Sequence, residues 1–250
     1  MFHLAAYYES LDPAGALTKI AAVPDQAVRT DGNDIVVPQG ISNLVAEAAL
    51  SAATGPSYAQ VQSPSLRQLA NQDVGPIVSG VTFGSNPSVM QHFTTPRPLK
   101  AAESINFAIS ATGGAAAVNY GLIWLADGAL SPVQGNIFTV RATGSAALAA
   151  GEWVNSSLTF DSTLPSGTYN VVGMRLVGAN LVAGRLVFVG GQYRAGVPAV
   201  NAVGNREFDP SRYGRMGSFG VFDVNQPPTL DCLGVTDASQ TVFLDVIKTT

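Results

Sequence analysis

From Ser104 onward the chain is a succession of short β-forming runs parted by Gly, Pro, Asn and Asp, with no helical period between them. Eight stretches are rich in Val, Ile, Phe, Tyr and Thr: SINFAIS (104–110), NYGLIWLAD (119–127), GNIFTVRA (135–142), EWVNSSLTF (152–160), TYNVVGMRLVG (168–178), AGRLVFVGG (183–191), GSFGVFDV (217–224) and QTVFLDVIK (240–248). Such runs suit a pleated, half-buried surface. Several alternate by two. Ile105, Phe107 and Ile109 share one face, and Val154, Leu158 and Phe160 oppose Trp153, Ser157 and Thr159 across an irregularity. Strand centres roughly 10 to 20 residues apart, without helices between them, predict an antiparallel sandwich of two packed sheets.

Turn chemistry refines this. Pro165, Ser166 and Gly167 set a tight turn before the run at Thr168, and Gly178, Ala179 and Asn180 turn the chain back into LVAGRLVFV. Consecutive antiparallel strands, a meander, are expected here. The stretches Val171–Val177 and Leu186–Val189 read as central and buried on both sides, apart from Arg175 and Arg185.

The first hundred residues read differently. NDIVVP (33–38) is extended, but SNLVAEAALSAA from Ser42 places Leu44, Val45, Ala48 and Ala49 at helical spacing behind a capping Ser. A second helix is predicted from SPSLRQLANQ, with Ser63 as cap, Pro64 at the first helical position and Leu66, Leu69 and Ala70 on one face. Both are short and weakly amphipathic, so they must dock on something else. The expected organisation is an N-terminal arm with short helices over 1–100 and a β-sandwich domain over 101–250. The fold class is mainly β: an antiparallel eight-stranded sandwich, a single jelly roll, preceded by the arm.

Composition bears on what such a fold does. Only 12% of the 250 residues are charged, against roughly 25% in an average soluble domain. A globular chain this poor in charge is expected to cover much of its surface with other subunits. The net charge is -4, and no block of Lys or Arg exists to release counterions from a nucleic acid. No window of about 18 apolar residues suggests a membrane span. The start, MFHLAAYYESLDP, lacks the basic and apolar regions of a secretory signal, so folding in a cytoplasm without cleavage is expected.

Catalytic and ligand-binding patterns are weak throughout. The single cysteine, Cys232, permits no intramolecular disulfide and reads as a buried apolar thiol. His3 and His92 stand 89 positions apart in no metal-binding spacing, and His92 is expected in a loop or at an interface. Neither GSNPS at Gly84 nor the glycines around Arg215 to Gly220 has the strand and helix context of a nucleophile elbow or phosphate loop. ATGGAAA (111–117) reads as a strand-to-strand turn. Glu152, Asp161, Glu207, Asp209 and Asp223 are the residues that could supply a glycosidase pair, but most fall at strand ends or in loops, where simple solvation is expected. DGND at 31–34 reads as a turn before a strand, since the later acidic ligands of a calcium loop are missing, and the sequon at Asn155 is uninformative without secretion. No enzyme, catalytic residue, metal or cofactor is predicted.

Eight strands in about 150 residues, an N-terminal arm, low charge and abundant Ala, Gly, Ser and Thr resemble the jelly-roll coat proteins of icosahedral viruses and phages. The resemblance is one of class, spanning 104–250 for the strands and 1–100 for the arm. It implies a self-assembling capsid subunit, a structural virion protein assembled in the host cytoplasm, whose partners are copies of itself and other virion proteins. The arm departs from basic genome-binding arms, having only Lys19, Arg29, Arg67, Arg97 and Lys100, which favours arms that tie subunits together. A double jelly roll would need about eight further strands in the first hundred residues, and the helical signals there favour a single roll. The alternative reading is a glycan-binding sandwich of lectin or adhesin type.

One segment stands apart. NREFDPSRYGRMG (205–217) concentrates Arg206, Glu207, Asp209, Arg212, Tyr213 and Arg215 in a loop between strand signals. The opposed charges nearly cancel, which suits paired hydrogen bonds more than a phosphate field. Arg and Tyr are also enriched at interface anchors. These six residues are the predicted subunit-interface candidates.

Overall fold

In the computed structural model the described residues are 1–53, 58–67, 72–76 (backbone only), 90–110, 117–200, 210–236 and 240–249. The chain is mainly β, of the sandwich type in class. It forms two compact units, Ala5–Ala129 and a second made of Met1–Leu4 with Leu130–Thr250. Each unit contains one of two sheets, of ten and nine strands. The boundary therefore falls near residue 130, while the sequence pattern changes near residue 100.

The N-terminal unit is built from β1 (Phe2–Ser10), β2 (Thr18–Ala22), β3 (Thr30–Asp31), β4 (Asp34–Val36), β5 (Asn43–Ser51), β6 (Tyr58–Gln62), α1 (Pro64–Arg67), β7 (Gln72–Pro76), β8 (Gln91–Pro98), β9 (Ser104–Ser110) and β10 (Val118–Ala126). Two runs of neighbours can be followed, β1-β10-β5-β8 and β2-β9-β6-β7, joined where β1 meets β2. One side of β9 is shared, with β2 along 107–109 and β4 along 104–106. DGND is the tip of the hairpin β3–β4, with Gly32 at φ 61°, a turn as its sequence suggests.

The expected helix after Ser42 is the strand β5, whose residues after Asn43 are all buried. Its alanines carry good helix propensity, but burial on both faces removes the alternation that marks a strand, and tertiary pairing overrides the local preference. Ala49 pairs with Gly121 of β10, and a Cβ on Gly121 would lie 2.5 Å from the Phe107 ring, so small residues admit a close layer here. The second expected helix exists as the single turn α1. Its cap is the predicted one, with the Leu66 N–H donating to Ser63 Oγ at 3.2 Å; residues 68–70 lie outside the described residues. The segment 111–116 does too.

The second unit contains β11 (Phe138–Gly144), β12 (Val154–Ser156), β13 (Thr159–Phe160), β14 (Thr168–Val177), β15 (Leu181–Val187), β16 (Gly196–Val200), β17 (Gly220–Asp223), β18 (Thr229–Gly234) and β19 (Gln240–Lys248). Its runs are β11-β19-β14-β17 and β12-β18-β15-β16, and β16 also meets β14 in a two-residue parallel contact. All eight sequence-read β runs are strands, with the irregularity in EWVNSSLTF appearing as the break between β12 and β13. The expected meander is not formed. β14 and β15 do turn at Gly178 to Asn180, but β14 pairs with β19 and β17, whereas β15 pairs with β18 and β16. A tight turn sets where the chain reverses; the choice of neighbours is made by which apolar faces meet.

Setting aside the short pieces β3, β4 and β13, each unit has eight strands in one spatial order. The first neighbours the eighth, then the third, then the sixth; the second neighbours the seventh, then the fourth, then the fifth. This order recurs although the sequence signals of the two halves differ.

Candidate functional site

The described part of the loop between β16 and β17 is folded along the edge of β14. Ser211 clamps Met174 in both directions, its Oγ donating to the Met174 carbonyl at 2.7 Å and its carbonyl accepting from Met174 N at 3.0 Å. Gly214 N donates to Val172 O at 2.7 Å, and Phe219 N to Val171 O at 2.8 Å, leading directly into β17. The Gly214 carbonyl accepts from Val133 N at 2.8 Å. Gly214 has φ 76°, and a Cβ there would lie 2.0 Å from the Val133 carbonyl oxygen. Only glycine meets both demands.

Arg212 and Asp245 form the centre of this site. The guanidinium grips the carboxylate with two bonds, Nε to Oδ2 at 2.7 Å and a terminal NH2 to Oδ1 at 2.8 Å. Thr139 Oγ1 donates to Oδ1 at 2.6 Å and the Tyr213 N–H to Oδ2 at 2.9 Å. A β-bulge at Val171/Gly173 opens room for them: a Cβ on Gly173 would lie 2.4 Å from Asp245 Oδ2 and 2.9 Å from Tyr213 N. Asp245 is fully buried. Burial alone would raise its carboxyl, but hydrogen bonds from Arg212, Thr139 and Tyr213 N, with the Arg212 charge, outweigh that and hold it below the ordinary value.

Above this pair stands Tyr213, 56% exposed. Its φ of 54° is left-handed, a conformation that costs about 1 to 2 kcal/mol for a residue with a side chain. It persists because the bond to Asp245 and the Gly214 contacts determine it. The Arg212 guanidinium lies 4.6 Å from the ring centroid. An exposed aromatic is thus fixed from below by a buried ion pair, the pre-organisation that lowers the ordering cost of a contact.

The six candidates therefore divide. Arg212 is a positioning residue turned inward, Tyr213 is presented outward and Arg215 is exposed. Arg206, Glu207 and Asp209 lie outside the described residues. Sequence reading missed Asp245 and Thr139, though a lone aspartate inside the apolar run of QTVFLDVIK is a detectable signal: a charge in a buried strand needs a partner.

A second ionic cluster ties down the start of the chain. Asp231 Oδ2 accepts from Arg185 Nε at 3.1 Å and from Arg194, while Oδ1 accepts from Asn155 Nδ2 at 2.8 Å. Arg185 also donates to the Leu4 carbonyl at 2.9 Å and lies 4.0 Å over the Trp153 ring. Arg185, read from sequence as an exception to burial, is fully buried. Leu4 N donates to Arg194 O, and Arg194 N to His3 Nδ1 at 3.1 Å. The adjacent Cys232 is buried, and desolvation with the Asp231 charge pushes its thiol up to about 12, which leaves it unreactive.

Two of the five candidate carboxylates have local roles. Asp161 pairs with Arg141 at 3.2 Å, and Asp223 accepts from the backbone and side chain of Asn225. Asn155 is held by Thr229 and Asp231. Among the described residues no group of three or more His, Cys, Asp and Glu is placed to hold a metal ion, and no helix is long and apolar enough to cross a membrane. A shallow recess of about 250 Å³ is lined by Phe160, Ser162, Thr163, Leu164, Phe222 and Val224, with Phe160 and Phe222 stacked at 6.3 Å. No protein-family model and no curated protein matches the chain.

Proposed function

We propose that the protein is a structural virion subunit whose activity is self-assembly into an icosahedral shell in the host cytoplasm. The observation that carries this reading is the recurrence of one eight-strand order in both units. An order of first-eighth-third-sixth beside second-seventh-fourth-fifth is the connectivity of a jelly roll, an architecture used by viral coat proteins and lectins. Its appearance twice favours two rolls in tandem, with the first hundred residues supplying strands in place of a helical arm. Two rolls in a chain with only 12% charged residues suit repeated burial against copies of the same chain, at about 25 cal/mol per Å² before ordering costs.

Tyr213 and Arg215 are the described candidates for such a contact, with Arg212 holding Tyr213 in place. Other virion proteins are further partners in this reading. Purified protein examined by light scattering and negative-stain microscopy should form trimers, hexamers or closed shells. A clean monomer sinks the proposal. The glycan-binding alternative draws support from the stacked Phe160 and Phe222 beside the Ser162 and Thr163 hydroxyls; a monomer that binds a glycan array would establish it instead.

A further inference from the structure

Strand β8 ends its run of neighbours and pairs with β5 in two separated stretches. Pro98 and Arg97 face Asn43 and Leu44, and His92 and Gln91 face Ala46 and Glu47. Between them β5 advances by one residue, Val45, while β8 advances by four, Phe93 to Pro96. The surplus chain bulges, and residues 92–98 line a recess of about 400 Å³. Bulges of this kind re-aim side chains, often beside binding sites.

Four side chains of the residues that line the recess, His92, Thr94, Thr95 and Arg97, can donate hydrogen bonds. Arg29, Arg141, Arg185, Arg194 and Arg212 each meet a carboxylate. Arg97 meets none among the described residues, and its Nε is buried with no hydrogen-bond partner. A buried, unanswered N–H of a cation costs roughly 1 to 3 kcal/mol or more, so its presence calls for an acceptor. Packing against Phe93, 5.2 Å from guanidinium carbon to ring centroid, engages the face of the guanidinium and leaves its N–H edge. Among the described residues no hydrogen bond engages the side chains of Thr94, Thr95 or His92. Although His92 is exposed, partial desolvation lowers its pKa from the ordinary value, and the neutral ring supplies one N–H.

Acidic groups do not contribute to this lining. Glu47 is fully buried opposite Gln91 and outside the recess, and Glu103 accepts the backbone N–H groups of Ser65 and Lys100. A planar carboxylate would be answered by the arginine fork alone. Hydroxyls and an imidazole N–H added to the fork suit the several oxygens of a phosphate. The geometry points to the β8 bulge as an oxyanion site for a phosphoryl group, with Arg97 as its principal ligand and Thr94, Thr95 and His92 as supporting donors.

Calorimetric titration of the full chain with inorganic phosphate, and separately with methyl phosphate, tests this. Saturable one-site binding is expected, weakened at least tenfold in Arg97→Gln and less in Arg97→Lys, which retains charge but loses the fork. Tighter binding of the ester would identify the end of a larger phosphorylated molecule as the ligand, and tighter binding of phosphate would identify the free anion. Unchanged far-UV circular dichroism in Arg97→Gln verifies the fold. No binding of either probe by the wild type, or equal binding by Arg97→Gln, overturns the assignment.

Discussion

The sixth strand of each unit occupies the same place beside the third, yet the two edges are finished differently. In the second unit β17 pairs with β14, and residues 211–219 extend that pairing, so that Arg212 closes on Asp245. In the N-terminal unit β8 leaves β5 for four residues, and Arg97 meets no carboxylate among the described residues. One arginine is consumed inside the fold and holds up an exposed tyrosine; the other keeps its donors for something outside. The same architecture can therefore turn an edge into a rigid surface or into a recess, depending on whether an acidic partner lies beneath it.

The largest expected effects break the closed edge. Asp245→Ala leaves the Arg212 guanidinium without its counter-charge and should lower unfolding free energy by about 3 to 5 kcal/mol, read as a fall in denaturant midpoint at constant slope. Gly214→Ala forces a Cβ onto the Val133 carbonyl at a positive φ, for a loss of about 3 kcal/mol. The corresponding arginine change at the open edge, Arg97→Gln, breaks no ion pair among the described residues and removes an unanswered buried N–H, so it should not lower stability. Equal losses at Arg97 and Asp245 would erase the distinction between the edges.

Acid sharpens the comparison. The folded Asp245 carboxyl lies below its unfolded value of about 3.9, so its contribution is fully present above that pH and lost as pH falls through the folded value. Urea midpoints of the wild type should fall more steeply below about pH 4 than those of Asp245→Asn. Parallel curves would show that the carboxylate is not the acid-sensitive element.

Tyr213→Ala has a small expected effect on stability, under about 1 kcal/mol. It removes an exposed ring and relieves no clash, but residue 213 keeps a left-handed backbone. Its reading is in assembly, where particle yield should drop while thermal midpoint is nearly unchanged. Normal yield would remove Tyr213 from the contact.

The eight runs after Ser104 were legible because their β-branched and aromatic residues stand between strong turn residues. β5 was not, because NLVAEAALS is Ala-rich and buried along nearly its whole length, which hides the two-residue period. β16 and β18 were missed for a related reason: GVPAV and TLDCLG are short and carry a proline or a charge. The site was half legible. Arg212 and Tyr213 stood out as unusual residues in a neutral chain, but their opposed directions depend on Gly173 and on Asp245, 33 positions beyond Arg212. The bulge in β8 arises from register, which a single strand's sequence does not encode.

The central claim is that copies of this chain assemble. The most direct measurement is the particle size of the purified protein in solution, by light scattering with negative-stain microscopy. A mass of tens of subunits in uniform closed particles is the predicted result; a monodisperse monomer across concentration would contradict it.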